Sequence, residues 1–390
     1  MGLSTRRLFL TGSLGVGVAA ILGPWPVGRR LAAAFDPPPD GPLAGGVRVG
    51  LLRFRDEPDR MEEVYGAGLD GRFRQDLSTL TTDTLVTPNE RFYIRTRCPD
   101  TIDYGKPWTI RLRGRTGQSI EIAADVLAKL SRAMGVHLME CAASARGGLV
   151  SAAEWSGVPI SEVLGRLGPL PGDARVLVSG FDGHSRYDEK SDERGASWIF
   201  TRAELQEAGA FLATTMNGVA LPVDHGFPVR LVVPGWYGCT CIKWVDSIRL
   251  VEDSVHSTRQ MRGYAGRTHQ HGVPKYARDF QPAVIDLAAM PIRVERWRVG
   301  TRVVHRVVGI IWGGRRTTDD LVIRFNADQP YVPVESYVHA TTSTWSLWSH
   351  LWRPPAPGRY RIQLSIDDPS IRTRRLDSGY YGRTVLVQGV

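Results

Sequence analysis

Two short segments concentrate residue types that can bind a metal and an anion. In Glu140-Cys141-Ala142-Ala143-Ser144-Ala145-Arg146-Gly147-Gly148, one cysteine ends an apolar run and enters a loop of small residues. Small side chains let a backbone approach a bulky ligand closely. A thiolate is a soft ligand, suited to a metal that already carries sulfur. By residue type alone, a cysteine after a strand is more often plain core, by roughly three to one. In the second segment, Asp224-His225-Gly226-Phe227-Pro228-Val229-Arg230-Leu231-Val232-Val233-Pro234-Gly235-Trp236-Tyr237-Gly238 continues to Cys241-Ile242-Lys243-Trp244. An arginine offers a planar fork to a phosphate or carboxylate, and a lysine a point charge. His225 and Arg230 could equally be a satisfied pair at a sheet edge.

The surrounding pattern supplies the elements that must position these groups. Residues 136–141, 174–179 and 228–233 are short apolar runs that predict strands. Thr201 and Glu204 form a capping box that predicts a helix over 203–208. Pro159 suits the first turn of another helix reaching Leu167. Beyond residue 251 the composition changes. Residues 254–282 are rich in Arg, His and Gly and read as a connector. Short alternating strands follow, clearest in Tyr360-Arg361-Ile362-Gln363-Leu364-Ser365-Ile366, with similar runs at 303–311, 320–325 and 384–387. Strands without helices over such a length predict an immunoglobulin-like β-sandwich. The fold class is therefore α+β: a mixed α/β domain over 76–252, a connector over 253–282 and a sandwich over 283–390, preceded by an extension over 35–75. The Pro-rich stretch 36–42 within that extension is a stiff linker.

A chain of 390 residues exceeds what one core usually holds, and its 42% hydrophobic and 23% charged residues are those of a globular protein. The net charge is +9. Removing Arg6, Arg7, Arg29 and Arg30, which lie in a leader without acidic residues, leaves +5. That excess is too mild and too scattered for nucleic-acid binding, and suits a small anionic substrate or an acidic partner. Cys98, Cys141, Cys239 and Cys241 are too few for a disulfide framework. No C-x-x-C-H occurs, so no c-type haem is expected on this chain. Residues 1–34 read as a signal peptide. Ser4-Thr5-Arg6-Arg7-Leu8-Phe9-Leu10 fits the twin-arginine route, an apolar stretch follows, and Ala32-Ala33-Ala34 ends it. This predicts a periplasmic protein exported already folded.

The His225–Lys243 string resembles the pterin-binding segment of the sulfite oxidase family. Thr87-Pro88-Asn89-Glu90-Arg91-Phe92-Tyr93-Ile94-Arg95 resembles that family's first strand, and Phe181-Asp182-Gly183 stands where the family places a cofactor-contacting aspartate. Together with the Cys141 segment, these four motifs occur in the family order over roughly residues 75–250. The resemblance implies a molybdenum–molybdopterin cofactor with Cys141 as its protein-supplied metal ligand. It implies that His225, Arg230 and Lys243 grip the pterin and its phosphate. Cys241 and Ile242 would contribute through backbone, and Tyr93, Arg95, Thr96, Arg97 and Asp182 would line the cofactor. Arg95 and Arg146 match positions whose guanidinium groups face the substrate oxyanion, and Trp155 and Tyr264 match pocket aromatics; Trp155 is equally readable as core.

Departures bear on the substrate. Arg95-Thr96-Arg97 replaces the family's Arg-Asn-His, and Ala143-Ser144 replaces Gly-Asn. Thr344-Trp345-Ser346-Leu347-Trp348 looks like a strand of the family's dimerisation domain. Tyr380-Tyr381-Gly382-Arg383 does not match the usual ending, and no substrate-binding arginine is identifiable there. The implied activity is sulfite oxidation to sulfate, with electrons leaving to a separate acceptor such as a c-type cytochrome, in a homodimer. The alternatives are the same cofactor reducing an S-oxide or N-oxide, and a non-enzymatic exported binding protein. A zinc site from Cys239-Thr240-Cys241 and His269-Gln270-His271 is a further one, although C-x-C is a poorer spacing than C-x-x-C.

Overall fold

A computed structural model describes residues 42–57, 60–67, 70–96, 102–103, 105–144, 147–181, 196–314, 318–338 and 345–388. The leader, residues 36–41 of the Pro-rich stretch, Arg97, Cys98, Arg146, Asp182 and Thr344 lie outside them.

Strands dominate. In chain order they are β1 (Val47–Leu52), β2 (Tyr65–Ala67), β3 (Asp70–Phe73), β4 (Ile94–Arg95), β5 (Thr109–Arg113), β6 (Ser119–Ala123), β7 (Arg132–Glu140) and β8 (Val150–Pro159). Next come β9 (Arg175–Gly180), β10 (Ser197–Thr201), β11 (Phe211–Met216), β12 (Val219–Ala220), β13 (Arg230–Val232) and β14 (Val245–Val251). The last group is β15 (Ala288–Val299), β16 (Arg302–Trp312), β17 (Leu321–Phe325), β18 (Val332–Pro333), β19 (Ser336–Val338), β20 (Trp345–Trp352), β21 (Gly358–Ile366) and β22 (Arg383–Val387). The short helices are α1 (Ala124–Leu130), α2 (Ile160–Gly165), α3 (Arg202–Glu207), α4 (Arg259–Tyr264) and α5 (Arg374–Asp377).

The first domain rests on two sheets. One runs β10-β9-β14-β5-β6, with β14 parallel to β5 and the other pairs antiparallel. The other runs β12-β11-β8-β7, with β13 also pairing β11. β9 and β13 are nearly all buried, which explains why their sequences read as continuous apolar runs rather than alternations. The predicted capping box starts α3. Thr201 Oγ1 accepts the Glu204 amide at 3.0 Å, and the Glu204 carboxylate accepts the Thr201 amide at 2.7 Å. Such a cap stabilises a helix by about 1 kcal/mol. Pro159 begins α2, which stops at Gly165, short of the expected Leu167.

The second domain is two antiparallel sheets, β1-β15-β16-β20-β19 and β18-β17-β21-β22. Val294, Val307, Trp348 and Trp352 of the first meet Leu321, Ile323, Val385 and the alternating Tyr360, Ile362 and Leu364 of the second in one core. This is the sandwich that the alternation predicts.

Two stretches are more structured than their sequence suggests. The N-terminal extension gives β1 to the far sheet, where Val47 pairs Arg298. It also gives β3 to β4, where Arg72 pairs Arg95. The connector contains α4, capped by Thr258, whose Oγ1 accepts the Met261 amide at 3.2 Å and donates to Ser197 O at 2.8 Å. The two domains share side chains. Trp345 Nε1 donates to Leu85 O at 3.0 Å, Arg293 Nη1 to Leu80 O at 2.7 Å, and Trp312 Nε1 to Glu140 Oε2 at 2.9 Å.

His305 on β16 is buried, and burial together with Arg296 lowers its pKa to about 4. The folded state therefore holds a neutral imidazole that the unfolded chain protonates near 6.5. This contribution is complete above pH 6.5 and is lost as the pH falls towards 4. We expect His305→Gln to shrink the loss of stability between pH 7 and pH 5 by on the order of 1–2 kcal/mol. Urea denaturation of both proteins at the two pH values measures this, and parallel pH dependences would contradict it.

Candidate active site

A cavity of about 360 Å³ lies where β4, the end of β7, β13, the 238–243 turn and α4 converge. Its volume is that of a small-molecule site. The wall combines Tyr93, Arg95, Thr96, Met139, Cys141, His225 and Arg230 with Cys239, Cys241, Ile242 and Lys243. Arg259, Gln260, Tyr264 and Arg267 from α4 and its continuation complete it.

Cys141 follows β7 directly. Its amide donates to Leu149 O at 2.9 Å, and its sulfur accepts the Ala143 amide at 3.4 Å. Burial pushes the thiol above its ordinary range, and the Ala143 amide, Arg95 and Arg375 pull it back only in part. The protein alone does not make this cysteine a thiolate; a soft metal, by displacing the proton, would. Cys241 is occupied differently, its sulfur accepting the Val233 amide at 3.4 Å.

Arg230 is almost fully buried, and among the described residues no carboxylate pairs with it. Its Nη1 donates to His225 O at 3.0 Å and its Nη2 to Cys241 O at 3.2 Å. Its Nε is buried and meets no acceptor. Burial pulls its pKa down. A cation in this condition is a site prepared for an anion. Close by, Lys243 Nζ donates to Thr96 Oγ1 and Asp224 O, both at 2.6 Å. His225 is held through Nε2 by Asn89 O at 3.2 Å. The turn between His225 and Arg230 passes through Gly226 at φ 108°, a backbone region that a side chain would disfavour. At Gly238, a Cβ would sit 2.6 Å from Tyr93 Oη, so glycine lets this turn pass close to the residue before β4.

Towards solvent the charge continues. Arg95 and Tyr264 are half-buried, and Arg259 and Arg267 are exposed. Burial, with Cys141 and Cys239 adding to it, pushes the Tyr264 hydroxyl up to about 12, so it is a neutral donor. The Arg267 guanidinium stands 5.7 Å from the Tyr264 ring.

The structure thus brings Tyr93, Arg95, Thr96, Cys141, His225, Arg230, Cys241, Ile242, Lys243 and Tyr264 to one cavity. It corrects Trp155 as a pocket residue. That ring is fully buried in β8, which pairs on both sides, and stacks 5.3 Å from the Arg230 guanidinium carbon. It supports Arg230 and does not line the cavity. The zinc alternative is also corrected. Among the described residues no three His, Cys, Asp or Glu side chains form a metal cluster; Cys239 lines the cavity, while His269 faces Asp286 at 3.6 Å. Arg259, Gln260 and Arg267 were missed because residues 254–282 read as a connector. The Thr258 cap was the available signal.

An oxidoreductase molybdopterin binding domain matches residues 96–259. Mitochondrial sulfite oxidase of Mus musculus is 29% identical over 272 residues, covering 60% of this chain and 49% of that protein. The Homo sapiens enzyme is 32% identical over 207 residues, covering 48% and 37%. The chain is similar to the sulfite oxidase family of molybdopterin oxidoreductases, with the domain match confined to residues 96–259. It spans about half or less of the length of these relatives. The NADH nitrate reductase of Spinacia oleracea is also similar, 27% identical over 190 residues, covering 44% of this chain and 20% of that protein. Among solved structures, the sulfane dehydrogenase SoxCD from Paracoccus pantotrophus superposes with a TM-score of 0.60 over 97% of this chain and 96% of that chain, at 14% identity. That likeness establishes the fold.

The cavity fits the cofactor of this family. It offers the Cys141 sulfur for a metal, and a buried cation with an unsatisfied Nε for the anionic end of a pterin. Replacing Arg230 with Met should leave the stability of cofactor-free protein within about 2 kcal/mol, because an unpaired buried charge contributes little net stability. Pterin retention should fall about ten- to a hundredfold, the worth of a charged hydrogen bond. Pterin fluorescence after gel filtration, beside urea denaturation, reads both; unchanged retention would remove Arg230 from the cofactor site.

Proposed function

We propose that this chain is a molybdenum–molybdopterin oxidoreductase that oxidises a small sulfur oxyanion, sulfite being the simplest, and passes its electrons to a separate acceptor. The observation that carries this reading is one cavity holding a buried thiol, Cys141, a buried carboxylate-free cation, Arg230, and a further arginine, Arg95. Two anions are provided for at different depths. When bound, the molybdenum–pterin group supplies two-electron redox chemistry with oxygen-atom transfer. Cys141 would hold the metal, and Arg230, Lys243 and His225 the pterin phosphate. Arg95 would hold the substrate anion and Tyr264 would donate a hydrogen bond to it, while Arg259 and Arg267 would draw it in. By the resemblance of their motifs, Arg146 would face the substrate, and Arg97 and Asp182 would contact the cofactor. The leader supports export. A c-type cytochrome as acceptor and a homodimer complete the proposal; both rest on the resemblance.

Cys141→Ser should melt cooperatively within a few degrees of the parent, retain pterin and lose at least about a hundredfold in sulfite:ferricyanide turnover. Sulfite and a sulfane-sulfur compound with ferricyanide, beside methionine sulfoxide with a reduced viologen, separate oxidation from reduction. Full sulfite turnover in the Ser variant with molybdenum bound would overturn the ligand assignment. Turnover of the sulfoxide alone would reverse the proposed reaction.

A further inference from the structure

Glu140, directly before Cys141, is completely buried and plays no part in the cavity lining. Its partners come from the second domain. Oε1 accepts Arg375 Nη1 at 3.1 Å and Tyr381 Oη at 2.5 Å, and Oε2 accepts Trp312 Nε1 at 2.9 Å. The same Arg375 reaches past Cys141. Its Nη2 donates to Ala142 O at 2.9 Å and to Arg267 O at 2.7 Å. Its guanidinium lies 4.3 Å from the Tyr237 ring centre and 5.1 Å from that of Tyr380. On the other side, Glu140 O accepts the Gly238 amide at 2.7 Å.

We propose that the Glu140–Arg375 pair is a positioning device that fixes the Cys141 sulfur between the two domains. This rests on Cys141 being the metal ligand. One guanidinium grips the residue before the cysteine through its carboxylate and the residue after it through its carbonyl. It also holds the backbone of Arg267, another residue lining the cavity. Stability alone does not account for a buried charge here, since apolar residues of similar volume commonly replace such pairs without loss. A rigid bridge does account for it: the planar fork makes several directed bonds at once, which a lysine cannot. Burial pushes the Glu140 carboxyl up while Arg375, Tyr381 and Trp312 pull it down, and Glu140 in turn holds Arg375 above its ordinary value.

The test uses full-length, cofactor-loaded protein. Glu140→Gln keeps the shape and removes the charge. Its molybdenum and pterin content should equal the parent's, and its Mo(V) electron paramagnetic resonance signal after sulfite reduction should shift or broaden. Its kcat should fall about ten- to a hundredfold, the usual consequence of a displaced reacting group, with KM changed less than about twofold. Arg375→Lys, which keeps the charge but loses the bridge, should show the same spectroscopic shift. A parental signal and kcat in Glu140→Gln would overturn the proposal, as would a parental Arg375→Lys should Glu140→Gln fail to fold. Loss of a cooperative melt in both would also overturn it, because the pair would then serve the fold. Cys141→Ser run alongside separates the two claims: an unchanged Mo(V) signal there defeats the ligand reading itself, whatever Glu140→Gln shows.

Discussion

Burying a cation without a carboxylate partner costs a folded chain free energy that its own hydrogen bonds recover only in part. Arg230 is in that position, and much of the first domain follows from it. β13 must deliver the side chain, β11 must pair β13, and the Trp155 ring must lie beneath the guanidinium. Two carbonyls, His225 O and Cys241 O, are turned towards it by the chain reversals on either side. What remains unmet is Nε, and an anion supplies what carbonyls cannot. The cavity exists because this site is incomplete without its ligand.

The cysteine poses the opposite problem. Its burial favours the neutral thiol, so nothing in the protein forces the charged state that a ligand needs. The protein can contribute position instead. β7 brings Cys141 to its place from one side, and Arg375, Tyr381 and Trp312 hold its neighbours from the other. The second domain therefore braces the residues on either side of Cys141, although it lines none of the cavity, and is not only an appended module. Shared packing around Met290, Ile310 and Trp345 makes the joint stiff.

What could be read from the sequence was what is local. The Thr201–Glu204 box, the alternation in β21 and the apolar runs of β9 and β13 each encode their structure within a few residues. The His225–Lys243 string is likewise a single stretch that folds back on itself, Leu231 donating to Ile242 O at 2.8 Å. Contacts between distant segments were not legible. Glu140 and Arg375 lie 235 residues apart, and no residue near either announces the other. β1 finds β15 across most of the chain, so its segment read as an extension. Trp155 was ambiguous because a strand residue's face depends on which neighbours pair with it, and β8 is covered on both edges.

The graded exposure of positive charge along the cavity bears on substrate choice. Arg259 and Arg267 are solvated and act at long range, where salt screens them. Arg95 is half-buried, so an anion beside it sheds part of its water and feels a stronger field. Arg230 and Lys243 sit where a bound phosphate would already neutralise them. Among the described lining residues, a substrate anion would then meet half-buried positive charge at Arg95, beside the neutral donor Tyr264. A neutral S-oxide would gain from Tyr264 as a hydrogen-bond donor but would leave Arg95 without a counter-ion in a half-buried place. The proposed anionic substrate is thus favoured by the charge of this wall over a neutral S-oxide.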